Sequence, residues 1–287
     1  MLAESAAAKK YKGDPERPAG AGLVITCEHG GNRIPEPYRE LLRPYRAALH
    51  SHRGFDAGSL SMARAFARAF GAPWVAATVS RLLVDLNRSV GHPRLHCGAI
   101  RKLPAPVRMR ILEHHYQPYR QQAEHLVMQA IARHGRVVHL SCHSFTPELD
   151  GKARTADIGL LYDPARPGEV ALAARWKAAI QARSPEFMVR RNYPYAGRND
   201  GLTTSLRKRF APEVYIGVEL ELNQKHVLRG GRQWAALRET VIESLRAALD
   251  PCVAASPEQA TRPSLTPHHN APHPTLRRNG HLAGTPQ

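Results

Sequence analysis

The 287-residue chain lacks any apolar run of 18 or more residues, which excludes a membrane-spanning helix. Its first 20 residues hold Lys9, Lys10 and Lys12 but no apolar core of signal-peptide length, so no secretory leader is expected. Cysteine is scarce. Cys27, Cys97, Cys142 and Cys252 are scattered without CxxC spacing, which argues against a disulfide framework or a zinc ribbon and fits a reducing cytoplasm. No internal repeat is visible. Acidic residues are also few, 24 against 41 lysines and arginines, leaving a formal charge of +17. Nucleic-acid binders usually concentrate such charge on one face or helix. Here the arginines are spread over predicted helices and loops, with only short clusters such as Arg207-Lys208-Arg209. An anion-friendly cleft is therefore expected rather than a specific nucleic-acid partner, with weak non-specific affinity for polyanions.

What is present is enough apolar sequence, 43%, for one large domain. Residues 21–250 are expected to form it, after a flexible segment over 1–20. From 251 the composition shifts to proline and histidine, with Leu265, Leu276 and Leu282 as the only large apolar residues from 253 on. That tail is expected to be disordered, with His268, His269 and His273 solvated.

Short β-rich runs alternate with helical patterns. Strands are predicted over Leu23–Cys27, Trp74–Val79, Leu82–Leu86, Val137–Cys142, Ile158–Tyr162, Val189–Arg191 and Val214–Leu222. Helices are predicted over Asp56–Phe70, Val107–His134 with an interruption near Pro118, Val170–Ala182 and Trp234–Leu249. The alternation implies an α/β fold with a mostly parallel sheet. Asn192 to Gly201 contains nearly every turn-forming residue type and is predicted to be a long, functional loop.

Two predicted strands each deliver a histidine at the carboxyl end, His29 before Gly30-Gly31 and His143 before Ser144. Open α/β sheets bind ligands outside those ends, and neutral imidazole is the commonest metal ligand. A third, oxygen ligand is needed for a catalytic zinc with an open position. Asp56, Glu28 and Asn32 are the nearby candidates, although an aspartate opening a helix also serves as an N-cap. Ser80 to Arg88 would present Arg81, Asp85 and Asn87 on one face of an extended segment, with Arg88 placed to clamp a carboxylate. An internal Arg81–Asp85 pair is the plainer alternative there. Glu219 and Glu221 share one face of the last strand, and acidic residues are depleted in strands. They are candidates for a general base, with a solvated edge strand as the alternative.

With Glu28-His29-Gly30-Gly31-Asn32-Arg33-Ile34-Pro35, Asp56-Ala57-Gly58, Ser80 to Arg88, His143-Ser144-Phe145-Thr146-Pro147, Asn192-Tyr193-Pro194-Tyr195 and Glu221-Leu222-Asn223-Gln224 in this order, the chain resembles the N-formylglutamate amidohydrolase family over about residues 22–228. That family is similar to zinc carboxypeptidases and to the succinylglutamate desuccinylase and aspartoacylase group. The resemblance implies a phosphorylase/hydrolase-like, three-layer α/β fold with a mixed, mostly parallel sheet and one zinc ion per chain. It implies His29 and His143 as metal ligands, Asn87 and Arg88 as the substrate-carboxylate site, and Glu221 as base with Glu219 as its neighbour. The sequence departs where the relatives use His-x-x-Glu, since the fourth position is Asn32, a poor zinc ligand. Asp56 is then the first choice for the oxygen ligand and Glu28 the second. The segment from Asn192 to Gly201 also lacks the Asn-Gly-Arg-Phe of true formylglutamate deformylases, so the substrate could differ.

The expected activity is zinc-dependent hydrolysis of a small N-acyl amino acid such as N-formyl-L-glutamate. Arg81 would stabilise the oxyanion, and Tyr195 or Arg198 would close over the substrate. The alternatives are the same machinery on another amide, or a cationic polyanion-binding protein with structural histidines.

Overall fold

The computed structural model describes residues 21–250; the expectations for 1–20 and for the tail from 251 lie outside the described residues. In chain order the elements are β1 (Gly22–Cys27), α1 (Arg39–Leu42), α2 (Arg46–Leu49), α3 (Ser59–Phe70), β2 (Trp74–Ala76), α4 (Gly98–Arg101), α5 (Ala105–Ile111), α6 (Gln117–His134) and β3 (Val137–Phe145). A small hairpin, β4 (Glu148–Leu149) and β5 (Lys152–Ala153), follows. The chain continues through β6 (Ile158–Leu161), α7 (Pro167–Arg183), β7 (Val189–Arg191), α8 (Leu202–Arg209), β8 (Tyr215–Asn223), α9 (Gln224–Arg229) and α10 (Gly231–Leu249).

Six strands form one mixed sheet in the order β2-β1-β3-β8-β6-β7. All neighbours run parallel except β6 against β8. Strand side chains alternate between faces, and here each face has its own core. Ile25, Cys27, Leu140, Cys142, Val218 and Leu220 pack with Phe66 of α3, Trp176 of α7 and Val241 of α10. Val24, Val137 and Tyr215 face Ala123 and Val127 of α6 and Leu206 of α8. Each fully buried large side chain contributes about 1.5–3 kcal/mol, so both helical layers are held by burial. The result is the three-layer architecture the resemblance implied.

The second face changes character along its length. Apolar at the amino ends of the strands, it carries Thr26, His139, Ser141, His143 and Glu221, all buried, towards the carboxyl ends. Because β8 lies between β3 and β6, its glutamates are not on an edge strand. That removes the solvated-edge reading.

Some local expectations are corrected. Leu82–Leu86 is not a strand but a buried run of turns. Ser80 Oγ accepts the Leu82 N–H at 3.3 Å, and Asp85 Oδ1 accepts the Asn87 N–H at 3.0 Å. Such side-chain bonds offer the backbone an alternative to a ladder. The strand predicted over Trp74–Val79 pairs only to Ala76, with Val79 making an isolated bridge to Arg33. Between α5 and α6, Leu112–Tyr116 form a π-helical turn ending just before Pro118. Proline cannot supply the N–H that an α-helical bond there would need. In α6, Tyr119, Ala123 and Val127 form the buried stripe, whereas Met128 is 47% exposed. The helix predicted from Asp56, α3, begins at Ser59; Asp56 stands before it, and its carbonyl accepts the Ser59 N–H and hydroxyl.

Candidate metal centre and substrate cleft

The adjacency of β1 and β3 brings their carboxyl ends together, so His29 and His143 face each other with ring centroids 5.0 Å apart. His29 lies in the turn that follows β1. Gly31 is needed there because a Cβ would sit 2.7 Å from the Thr78 carbonyl oxygen. Asp56 reaches into the gap: its Oδ2 is 2.9 Å from His143 Nδ1 and 3.3 Å from His29 Nδ1. These three buried side chains offer ligand atoms within 4.8 Å of one another and could hold a metal ion.

The opposite nitrogen of each ring is anchored. His29 Nε2 donates to Asp85 Oδ1 at 2.7 Å. His143 Nε2 is 3.0 Å from Glu28 Oε2 and 2.9 Å from Ser141 Oγ. Ser141 donates to Glu28 Oε2 at 2.6 Å, and the Tyr119 hydroxyl donates to Glu28 Oε1 at 3.0 Å. Carboxylates behind ligating histidines fix ring orientation and tautomer, which leaves both Nδ1 atoms turned towards Asp56. Arg81 spans the carboxylates, donating to Asp85 Oδ2 at 2.8 and 3.2 Å and to Asp56 Oδ1 at 3.2 Å. The plainer sequence reading of an internal Arg81–Asp85 pair is therefore what the fold contains.

The charges fit a divalent cation. Burial alone would raise the pKa values of Glu28, Asp56 and Asp85. Their imidazole, hydroxyl and guanidinium partners overcome it and hold all three well below the usual carboxylate range. Three buried anions against the single Arg81 cation leave an excess of two negative charges. Burial would likewise lower His143, but its bonds to Asp56 and Glu28 push that imidazole well up. A donor set of two imidazoles and one carboxylate with room for a water suits zinc.

Glu221 pairs in register with His143 across β3 and β8. Its Oε2 is buried without a hydrogen-bond partner, and burial pushes its carboxyl up to about 8. Glu219, two residues earlier, is engaged by the Thr203 hydroxyl. Asn87 Oδ1 accepts the Leu202 N–H at the start of α8 at 2.6 Å, and its Nδ2 lies 3.4 Å from His143 Nε2. Arg88 donates through Nη1 to the carbonyls of Asn87 and Asp200 at 3.0 and 2.5 Å, while its buried Nε has no partner.

A cavity of about 550 Å³ opens over this floor and is lined by His29, Asp56, His143, Glu221, Arg81 and Arg88, among others. Asn87, Glu219 and Tyr195 also border it. Arg198 does not; it is exposed on the same loop and does not border the cavity. Asn32 is directed elsewhere, donating to the Leu49 carbonyl at 3.1 Å. Glu28 lies behind His143 rather than beside Asp56. Sequence reasoning did not find Ser141, Tyr119 and Thr203. The only signal for them is a hydroxyl at a strand or helix position facing a buried carboxylate, which the fold alone brings about.

A family model described as N-formylglutamate amidohydrolase matches residues 21–228. The chain belongs to the N-formylglutamate amidohydrolase family. Among solved structures it is similar to the gene product Atu2144 from Agrobacterium tumefaciens, at 28% identity over 82% of this chain and 93% of that one, with a TM-score of 0.69. It shares its fold with an N-formylglutamate amidohydrolase from Ralstonia eutropha JMP134, at 23% identity over 80% and 94% of the two chains, TM-score 0.57. No curated protein matches significantly. Membership of this family makes the chain a hydrolase acting on amides.

Proposed function

We propose that this member of the family is a zinc-dependent hydrolase of small N-acyl amino acids, N-formyl-L-glutamate being one, with the ion held by His29, Asp56 and His143. The observation that carries the reading is the convergence of two anchored imidazole Nδ1 atoms on one Asp56 oxygen beside an unpartnered buried glutamate. When bound, zinc would bring a water's pKa towards neutrality and polarise the acyl carbonyl.

The residues divide the remaining work. Glu221 takes the proton from the attacking water as its oxygen adds to the acyl carbon, then gives it to the departing amine as the C–N bond breaks. A buried carboxyl with a raised pKa suits both halves of that transfer. Glu219, already bonded to Thr203, is the poorer candidate. Arg81 uses three of its five N–H groups on Asp85 and Asp56, and the others can stabilise the developing oxyanion. The unpartnered Nε of Arg88 is available to a substrate carboxylate. Asn87 shapes that corner by capping α8, and Tyr195 borders the opening.

The test is a hydrolysis screen over N-formyl, N-acetyl and N-succinyl amino acids with bound metal measured in parallel. We expect turnover of at least one class and near-stoichiometric zinc, both lost in His29→Ala and His143→Ala. Turnover that survives in either variant would overturn the ligand assignment, and zinc-loaded protein that cleaves no amide in the screen would overturn the activity.

A further inference from the structure

Arg88 is held in place without being neutralised. Among the described residues it forms no ion pair. Its Nη1 donates to the backbone carbonyls of Asn87 at 3.0 Å and Asp200 at 2.5 Å, and its buried Nε has no partner. The Asp200 carboxylate is committed to the next residue instead. Its Oδ1 accepts the Ser89 hydroxyl at 2.5 Å and its Oδ2 the Ser89 N–H at 2.9 Å. A carbonyl oxygen orients a guanidinium and leaves it charged, whereas a carboxylate can pair with it bidentately and occupy its donors. Asp200 thus gives Arg88 its carbonyl and withholds its charge.

The chain on either side of this contact is built to keep it. Gly201 brings the loop against Asn87, where a Cβ would lie 2.8 Å from Oδ1, and that oxygen accepts the Leu202 N–H at 2.6 Å. The carbonyl of Arg88 itself accepts the Tyr116 hydroxyl at 2.9 Å. Burial would raise the pKa of Asp200, but the Ser89 hydroxyl and N–H, and then the charges of His92 and Arg88, hold its carboxyl below the usual range. Asp200 is therefore an anion. It borders the same cavity as Arg88 and is kept off that guanidinium by its bonds to Ser89.

We propose that Ser89 and Asp200 are positioning residues for substrate recognition. Ser89 sequesters the Asp200 carboxylate, so that Arg88 receives a carbonyl anchor and stays available to the carboxylate of a substrate. The proposal rests on the reading of Arg88 as the substrate-carboxylate site. Its consequence is specific. Loss of the Ser89 hydroxyl frees a negative charge beside Arg88, and that charge competes with the substrate for the same donors. Removing the charge as well, by Asp200→Asn, should restore binding, which a latch that merely holds the loop would not do.

Calorimetry on zinc-loaded Glu221→Gln protein, in which turnover is suppressed, compares N-formyl-L-alanine with its uncharged carboxamide. We expect the carboxylate to bind roughly 10-fold or more tighter, and Arg88→Gln to abolish that preference. Ser89→Ala should cut the ratio towards one. Asp200→Asn should keep it, because the side-chain amide oxygen still accepts from Ser89, and Asp200→Asn added to Ser89→Ala should restore it. A ratio that is unchanged in Ser89→Ala, or that is not restored in the double variant, overturns the role of Ser89 and Asp200 and leaves Arg88 as the carboxylate site. A ratio near one before any of these substitutions, or one that survives Arg88→Gln, overturns the reading of Arg88 itself and the proposal with it.

Discussion

At the residue scale, Glu221 and Glu28 have opposite environments on the same sheet face. Glu28 is surrounded by donors from Ser141, Tyr119 and His143 and stays ionised. Glu221 has an unpartnered oxygen and is pushed up to about 8 by burial. Replacing Glu221 by Gln should lower turnover by about 10²–10⁴-fold with bound zinc retained, measured by steady-state kinetics and metal analysis; Glu219→Gln should do far less. Glu28→Gln weakens the anchor of His143 and should reduce zinc affinity by roughly 10–100-fold, read by competition with a chromogenic chelator. A pH effect follows for the metal-free protein. An unfolded glutamate titrates near 4.5 and folded Glu221 near 8, so between these values the folded state binds more protons. Stability therefore falls as pH rises through that window, by on the order of 5 kcal/mol for this group. Urea unfolding of chelator-treated protein should show that this slope disappears in Glu221→Gln.

At the scale of elements, the parallel core strands and most helices could be read from periodicity, because a two-residue or 3.6-residue repeat needs no partner to be visible. The His29–His143 pairing was legible as two strand ends, and Asp56 as the residue opening a predicted helix. What escaped depends on contacts distant in sequence. Ser80 to Arg88 has a strand's alternation, yet side-chain bonds from Ser80 and Asp85 turn it back on itself. Glu28 was a plausible ligand from its place beside His29, and only Tyr119 of α6 and Ser141 of β3 show that it supports His143 instead. The loop over residues 192–201 is secured from α8 by Arg207. That side chain pairs with buried Glu169 at 2.9 Å and donates to the Gly197 and Gly217 carbonyls at 2.5 and 3.0 Å. Arg207→Ala leaves Glu169 as an uncompensated buried charge and should cost about 3–5 kcal/mol of stability, measured by urea denaturation.

At the scale of the whole molecule, the charge of +17 acquires a local meaning. Part of it is consumed in the floor of the cleft, where Arg81 is neutralised by Asp56 and Asp85, and part borders the cavity on Arg53 and Arg154, which form no ion pair among the described residues. A positive cleft draws anionic substrates by long-range attraction that salt screens. For an anionic amide, kcat/KM should fall several-fold between low and physiological ionic strength while kcat changes little, as stopped-flow or steady-state kinetics would register. Equal loss in both would assign the charge to solubility alone. The central claim, a single metal held by His29, Asp56 and His143 and required for amide cleavage, is tested most directly by titrating zinc into chelator-stripped protein while following hydrolysis of N-formyl-L-glutamate or whichever amide the screen selects. We expect activity to rise in proportion to zinc and to saturate at one equivalent per chain, with Asp56→Asn failing to reach it. Full activity before any zinc is added would contradict the claim.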